Sequence, residues 1–344
     1  MTSMRQTLVS LKFVVAVSSL IACSAFADSL DVQDENREAQ NWLHRIQVAA
    51  QKVNYSGTFV YQQANQVRTS RITHLVDGKN EIEKLEILDG KPREYIRKND
   101  EIICYLPEAR TLIIETKIAQ DIFPAILAAN PAELSQYYTI KRGETGRIAG
   151  YESQELSLEP KDSLRYGYKL WAERATGLLL RAQTVNEKNE VVEQIAFTQL
   201  EIGNINRSRV KPSFPNTTGW HAENSVMTQS SGLGWSVKKV PPGFKKVREM
   251  TRLLSDTAAA VSHPVSTGTG TNQREVIQLV FSDGLAAISV FIEPGSRSRT
   301  EGSIQQGAMN ITGKRQGEFW LTIVGEVPAA AISQVANSIE FKIK

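Results

Sequence analysis

Val53-Asn54-Tyr55-Ser56-Gly57-Thr58-Phe59-Val60-Tyr61 is the stretch in which the hydrophobic period of this chain changes from 3.6 to 2. Upstream, Trp42, Ile46, Ala49 and Val53 recur at helical spacing within Glu35–Val53, which predicts one helix with one buried stripe. From Tyr55 onward, Tyr55, Phe59 and Tyr61 alternate with Ser56, Thr58 and Val60, the pattern of a strand with one apolar face. Gly57 inside that pattern predicts a bulge or a close backbone approach.

Downstream, the runs 68–76, 81–88, 94–97, 101–106 and 111–115 continue the strand pattern. Asp77-Gly78 and Asp89-Gly90 stand between runs, where hairpin turns favour residues that tolerate positive φ. A helical insertion follows at Ile118–Asn130, with Ile122, Phe123, Ile126 and Leu127 on one side, then a short helical turn at Ala132–Tyr138. Strands resume at 154–158, 166–171, 178–184 and 191–200. So many strands with so few helices predict a large, curved, antiparallel sheet wrapped around helices. Apolar periodicity stops near Asn204, and Pro212, Pro215, Asn216, Gly219 and Gly232 mark a linker. Beyond it, 235–240, 274–281, 285–292 and 319–324 read as strands and Ala329–Ser338 as a helix opened by Pro328, a small α+β domain. Ser282-Asp283-Gly284 reads as a hairpin turn, and Ser262–Asn272 as a loop. The division expected is 1–27, 28–205, a linker at 206–232, and 233–344.

At the start, Arg5 and Lys12 precede the apolar run 13–22, and Ala25-Phe26-Ala27 supplies a small-residue cleavage site: a signal peptide, with the mature chain beginning at Asp28. The apolar run is too short to span a bilayer. Leu20-Ile21-Ala22-Cys23 also fits a lipobox, in which Cys23 would be lipidated and kept. Cleavage predicts an exported, soluble product and lipidation an anchored one. With only Cys23 and Cys104 present, the mature product has no intrachain disulfide, so folding rests on a hydrophobic core. Residues 28–232 carry 25 Lys and Arg against 28 Asp and Glu, whereas 233–344 carry 13 against 9. The mild basicity of the second part is compatible with an acidic partner or lipid headgroups and far short of a nucleic-acid surface.

Catalytic constellations are lacking. His44, His74, His221 and His263 are scattered without metal-ligand spacing, and there is no nucleophile elbow, phosphate loop or dinucleotide fingerprint. Glu81, Glu83 and Glu86 read as a solvated strand face rather than glycosidase acids, and Cys104, among Ile102, Ile103 and Tyr105, as a buried structural thiol. No catalytic residue, metal site or cofactor is expected. The apolar strand positions Tyr55, Phe59, Tyr61, Ile72, Ile87, Ile96 and Ile103, with Phe123 and Ile126 on the inserted helix, are candidates for a cavity that takes acyl chains. Taken singly, each reads as core.

Several segments are specific enough to resemble the RseB/MucB family: Tyr55-Ser56-Gly57-Thr58-Phe59-Val60-Tyr61, Leu88-Asp89-Gly90-Lys91-Pro92-Arg93-Glu94, Cys104-Tyr105-Leu106-Pro107, Tyr166-Gly167-Tyr168-Lys169-Leu170-Trp171 and Thr176-Gly177-Leu178. In the second part Pro241-Pro242-Gly243-Phe244, Phe281-Ser282-Asp283-Gly284-Leu285-Ala286, Ser289-Val290-Phe291-Ile292-Glu293 and Val324-Gly325-Glu326-Val327-Pro328 do the same. The resemblance implies an α+β protein with a large N-terminal LolA/LolB-like unclosed β-barrel packed on helices and a smaller C-terminal α+β domain. It further implies a periplasmic negative regulator of an envelope-stress sigma factor. Such a regulator binds the periplasmic domain of a transmembrane anti-sigma factor, shields it from the site-1 protease, and is released on sensing lipopolysaccharide or lipoprotein acyl chains. A lipid carrier of the LolA/LolB type is the alternative, and a homo-oligomer is left open. For contact with the anti-sigma factor the choices are Trp235, Phe281, Asp283 and Phe291, with core packing the competing role for Phe281 and Phe291.

Overall fold

A computed structural model describes residues 37–116, 131–225, 227–229, 233–254, 274–295 and 299–342. The expected signal peptide with Cys23, the expected inserted helix with Phe123 and Ile126, and the expected loop at Ser262–Asn272 lie outside the described residues.

Helix α1 spans residues 37–52. Its buried stripe is Ala39, Leu43, Ile46 and Ala49, one position round from the expected centre. Trp42 lies at the margin under Arg45, whose guanidinium carbon is 3.9 Å from the ring centroid. The chain then runs through β1 (Tyr55–Gln63), β2 (Gln66–Asp77), β3 (Asn80–Ile87), β4 (Arg93–Lys98), β5 (Glu101–Leu106) and β6 (Thr111–Thr116). These pair consecutively as an antiparallel meander.

After α2 (Pro131–Tyr137) a second meander follows: β7 (Tyr138–Ile148), β8 (Tyr151–Pro160), β9 (Gly167–Glu173), β10 (Leu179–Val185) and β11 (Val191–Ile202). Strand β11 returns to pair with β1 and joins the two meanders. The expected bulge lies at Thr58/Phe59. Gly57 is required beside it, since a Cβ there would sit 2.6 Å from the Gln199 carbonyl oxygen and 2.8 Å from the Phe197 ring.

The expected linker does not hang between domains. Its 3-10 turn, Arg207–Val210, lies across β2 and β3, and β12 (His221–Ser225) adds to β6 as a parallel edge. Among the described residues the first sheet therefore has twelve strands in the order β12-β6-β5-β4-β3-β2-β1-β11-β10-β9-β8-β7, with its two edges unpaired to each other. This is the unclosed antiparallel sheet that was expected.

Strand β13 (Met227–Gln229) opens the second sheet, whose other members are β15 (Lys245–Leu254), β16 (Arg274–Ser282), β17 (Ala287–Pro294), β18 (Gly302–Gln306), β19 (Met309–Gln316) and β20 (Phe319–Gly325). Their order is β13-β15-β16-β17-β20-β19-β18. Short β14 (Trp235–Val237) pairs with β21 (Ile339–Phe341). Helix α3 (Ala329–Ala336) lays Ala331, Ile332 and Val335 against Leu279, Ile288, Val290, Leu321 and Ile323. A large sheet on a helix plus a small sheet on a helix is α+β, as expected. Strands β7, β15 and β19, absent from the sequence reading, carry charged residues on both faces and so lack the alternation that reveals a strand.

Candidate functional site

Register divides the first sheet into two faces. Tyr55 pairs with His74, Phe59 with Ser70 and Ser70 with Ile87, so Tyr55, Phe59, Tyr61, Ile72 and Ile87 share one face, here called inner. Tyr55, Phe59 and Ile72 are buried against Ala49 of α1, Leu178 and Phe197, with Tyr61, Leu85 and Val53 at the margin. The rings of Tyr55 and Phe59 each meet Phe197 edge-on, with centroids 6.0 Å apart. This surface is filled by the protein's own side chains, each Leu- or Phe-sized burial contributing roughly 1.5–3 kcal/mol.

Ile96 and Ile103 do not belong to that group. Ile96 pairs with Lys84 and Ile103 with Ile96, and Lys84 is on the outer face, one residue out of phase with Leu85. One position along a strand moves a side chain through the sheet, so the expected seven sheet residues split five to two.

The inner face also holds a charged cluster at the end of α1. His74, fully buried, donates from Nδ1 to the Val53 carbonyl at 2.8 Å and presents Nε2 to Glu81 at 3.3 Å; Arg97 Nη2 reaches Glu81 at 2.6 Å and Glu83 at 3.4 Å. The hydrogen bond from His74, helped by Arg97, holds the Glu81 carboxyl down at about 2, whereas burial pushes Glu83 up. The Glu81/Glu83 pair thus lies on the face with α1, not on a solvated one.

The outer face carries a cavity of about 660 Å³ between β1–β3, β11 and the segment 208–213. Its lining is polar and of mixed charge, with Arg71, Lys84, Arg209 and Lys211 against Glu86 and Glu201. Lys84 Nζ contacts Glu94 at 3.1 Å and donates to the Lys211 carbonyl at 2.9 Å and Ser213 Oγ at 2.7 Å, while Glu94 accepts from Ser213 N at 2.9 Å. This buried pair fastens the interdomain segment to the sheet. Ile205 and Val210, packed on Leu75, add an apolar clasp. Cys104, on the inner face, is buried, and burial pushes its thiol up to about 11, which keeps it protonated and unreactive.

The domains meet at a second buried pair. Asp283 Oδ2 accepts from Arg165 Nη1 at 3.0 Å and Tyr138 OH at 3.1 Å, while its Oδ1 accepts from the backbone of Leu285 and Ala286. Arg165 also donates to Asp162 and, at 2.6 Å, to the Pro242 carbonyl, and its guanidinium lies over the Tyr137, Tyr138 and Phe244 rings. Both side chains are essentially sealed from solvent, 0% and 1% exposed, so each depends on the other. The turn carrying Asp283 inserts Leu285 into the core formed by α1, α2 and β7–β10. Gly243, at φ +82°, lies flat on Tyr137, where a Cβ would run into the ring.

Of the four residues chosen for partner contact, Asp283 is thus an interdomain anchor. Trp235 and Phe281 are core, 5% exposed each, and Trp235 packs on Phe319 and Phe341. Phe291 is half-buried on the face of the second sheet away from α3, between Gln278 and Thr322. Arg165 carried no sequence signal: an arginine between Leu164 and Tyr166 looks like any strand-edge charge.

Compared with known proteins, residues 38–214 match the MucB/RseB N-terminal domain and residues 229–340 the MucB/RseB C-terminal domain. The chain belongs to the MucB/RseB family. Sigma factor AlgU regulatory protein MucB of Pseudomonas aeruginosa is 30% identical over 317 residues, covering 88% of this chain and 90% of that protein. Sigma-E factor regulatory protein RseB of Haemophilus influenzae is 25% identical over 341 residues, covering 97% and 99%. The complex structure of Pseudomonas aeruginosa MucA/MucB superposes with a TM-score of 0.67 at 26% identity, over 89% of this chain and all of the matched one. The two matches together span both domains. Among the described residues no helix is long and apolar enough to cross a membrane.

Proposed function

We propose that this chain is a periplasmic negative regulator of an envelope-stress sigma factor that acts by binding. It holds the periplasmic domain of a membrane-spanning anti-sigma factor and denies the site-1 protease its substrate. The observation that carries this reading is full-length likeness, through both domains, to sigma-factor regulatory proteins, one of them solved with MucA. Insertion of Leu285 into the core of the first domain supports a regulator in which two domains work as a unit over a lipid carrier, which needs only the first. Phe291 is the chosen contact that remains at the surface.

Acyl chains of lipopolysaccharide or lipoprotein are the proposed release signal, at the inner face bearing Tyr55, Phe59, Tyr61, Ile72 and Ile87. That face is packed, so a chain enters by displacing side chains, and it releases the partner only by the difference in its affinity for the free and bound forms. The mature chain mixed with the periplasmic domain of its anti-sigma partner elutes as a complex in size-exclusion chromatography, and slows site-1 cleavage. Separate elution with unprotected cleavage overturns the reading.

A further inference from the structure

Apart from the Arg165–Asp283 anchor, the domains touch at a second place where two carboxylates come together. On the first domain Glu193 of β11 lies opposite Gln63 of β1, which donates to it at 3.4 Å, beside Tyr61, whose hydroxyl also bonds it. The second domain seats Gly307 against Gln63 and the Val192 carbonyl, adjoining Glu193. Asn310 bridges the same seam by donating to Tyr166 OH at 3.2 Å and to the Val327 carbonyl at 2.9 Å, which pins Glu326-Val327 at the junction. Glu326 acts on Glu193, on Tyr61 and on Tyr168 through this seam.

We infer that the second domain is held most firmly on this part of the first when the Glu193–Glu326 pair carries a proton, and that the seat loosens when both carboxylates are ionised. Two like charges brought together out of water repel, and separating the domains rehydrates both. The groups facing the pair are Tyr61, Gln63 and Tyr168 from the first domain and Asn310 from the second, with Tyr166 and Arg68 behind them; Arg68 acts on Tyr61. Burial, then Glu326, raises Glu193 to about 7, and burial raises Glu326. The closed form therefore keeps a proton that the open form has released between the ordinary carboxylate value and neutrality. Closure is full in acid, weakens as pH rises through that window, and levels off above about 7.

Hydrogen exchange of the full mature chain tests this. Protection in peptides covering 59–66 and 305–328, corrected for intrinsic exchange, falls at least ~10-fold from pH 5 to pH 7.5, since each pH unit in the window is worth up to about tenfold. Peptides from 277–292 hold steady. In Glu326→Gln, and separately in Glu193→Gln, the junction peptides lose the part of this dependence that the second charge supplies, so the fall is shallower than in the wild type. A flat wild-type profile, a wild-type profile in both amide variants, or parallel loss in 277–292 overturns the inference; two variants keep the test decisive where one misfolds.

Discussion

The inner and outer faces of the first sheet are built from the same strands by opposite means. The inner face is closed by a regular helix, α1, which lays Ala49 on Tyr55, Phe59 and Ile72 and lays Ala39, Leu43 and Ile46 on apolar positions of the distant strands β7–β10. The outer face is closed by a segment more than a hundred residues downstream, held by Lys84, Glu94 and Ser213. The difference teaches that burial under a regular helix follows hydrophobic period, whereas burial under an irregular segment leaves polar residues that acquire partners only in the folded chain.

Four measurements break or sharpen this contrast. The largest effect is expected at the domain junction, where Asp283→Ala leaves Arg165 only the more exposed Asp162 and takes the acceptor from Tyr138 OH and the Leu285 and Ala286 amides. A loss of about 3–5 kcal/mol splits calorimetric unfolding into two transitions, one per domain. Leu43→Ala, which empties the α1 contact, costs about 3 kcal/mol in denaturant unfolding of the first domain, with no second transition appearing. On the outer face Glu94→Gln costs less, about 2 kcal/mol, because Glu86 stays 3.4 Å from Lys84; the signature is faster proteolysis within 203–214. An equal effect of Leu43→Ala on that segment would show that the faces are not independent.

The smallest effect concerns acid. Glu81 is held at about 2, below its ordinary value, so it contributes stability above about pH 4.5 that is lost as pH falls towards 2. After discounting for solvent screening this amounts to about 1 kcal/mol. Glu81→Gln flattens the acid limb of stability against pH by that amount, and an unchanged limb refutes the role of the His74–Glu81–Arg97 cluster.

Legibility in the sequence followed the same division. The helix before Val53, the strand from Tyr55, the bulge at Gly57 and the turns at Asp77-Gly78 and Ser282-Asp283-Gly284 were all readable, because each depends on residues within a few positions. Edge strands such as β7 and β12 were not, since a strand exposed on its flank keeps polar residues on both faces. For the candidate site the reading named the right residue types but grouped Ile96 and Ile103 with the inner face and took Asp283 for a surface contact. Register in one case, and a partner 118 positions away in the other, decided otherwise.

By itself, then, the sequence determined a chain of only two cysteines with a strand-rich first domain, a small α+β second domain and the segments of the MucB/RseB family, because periodicity, turn chemistry and motif identity are local properties. Only the tertiary structure decided which face each strand residue occupies, that residues 206–225 strap and extend the first sheet, and that Arg165 with Asp283 joins the domains. A charge becomes an anchor only when the fold removes it from water and supplies its counter-charge, and no local pattern records where that counter-charge will come from.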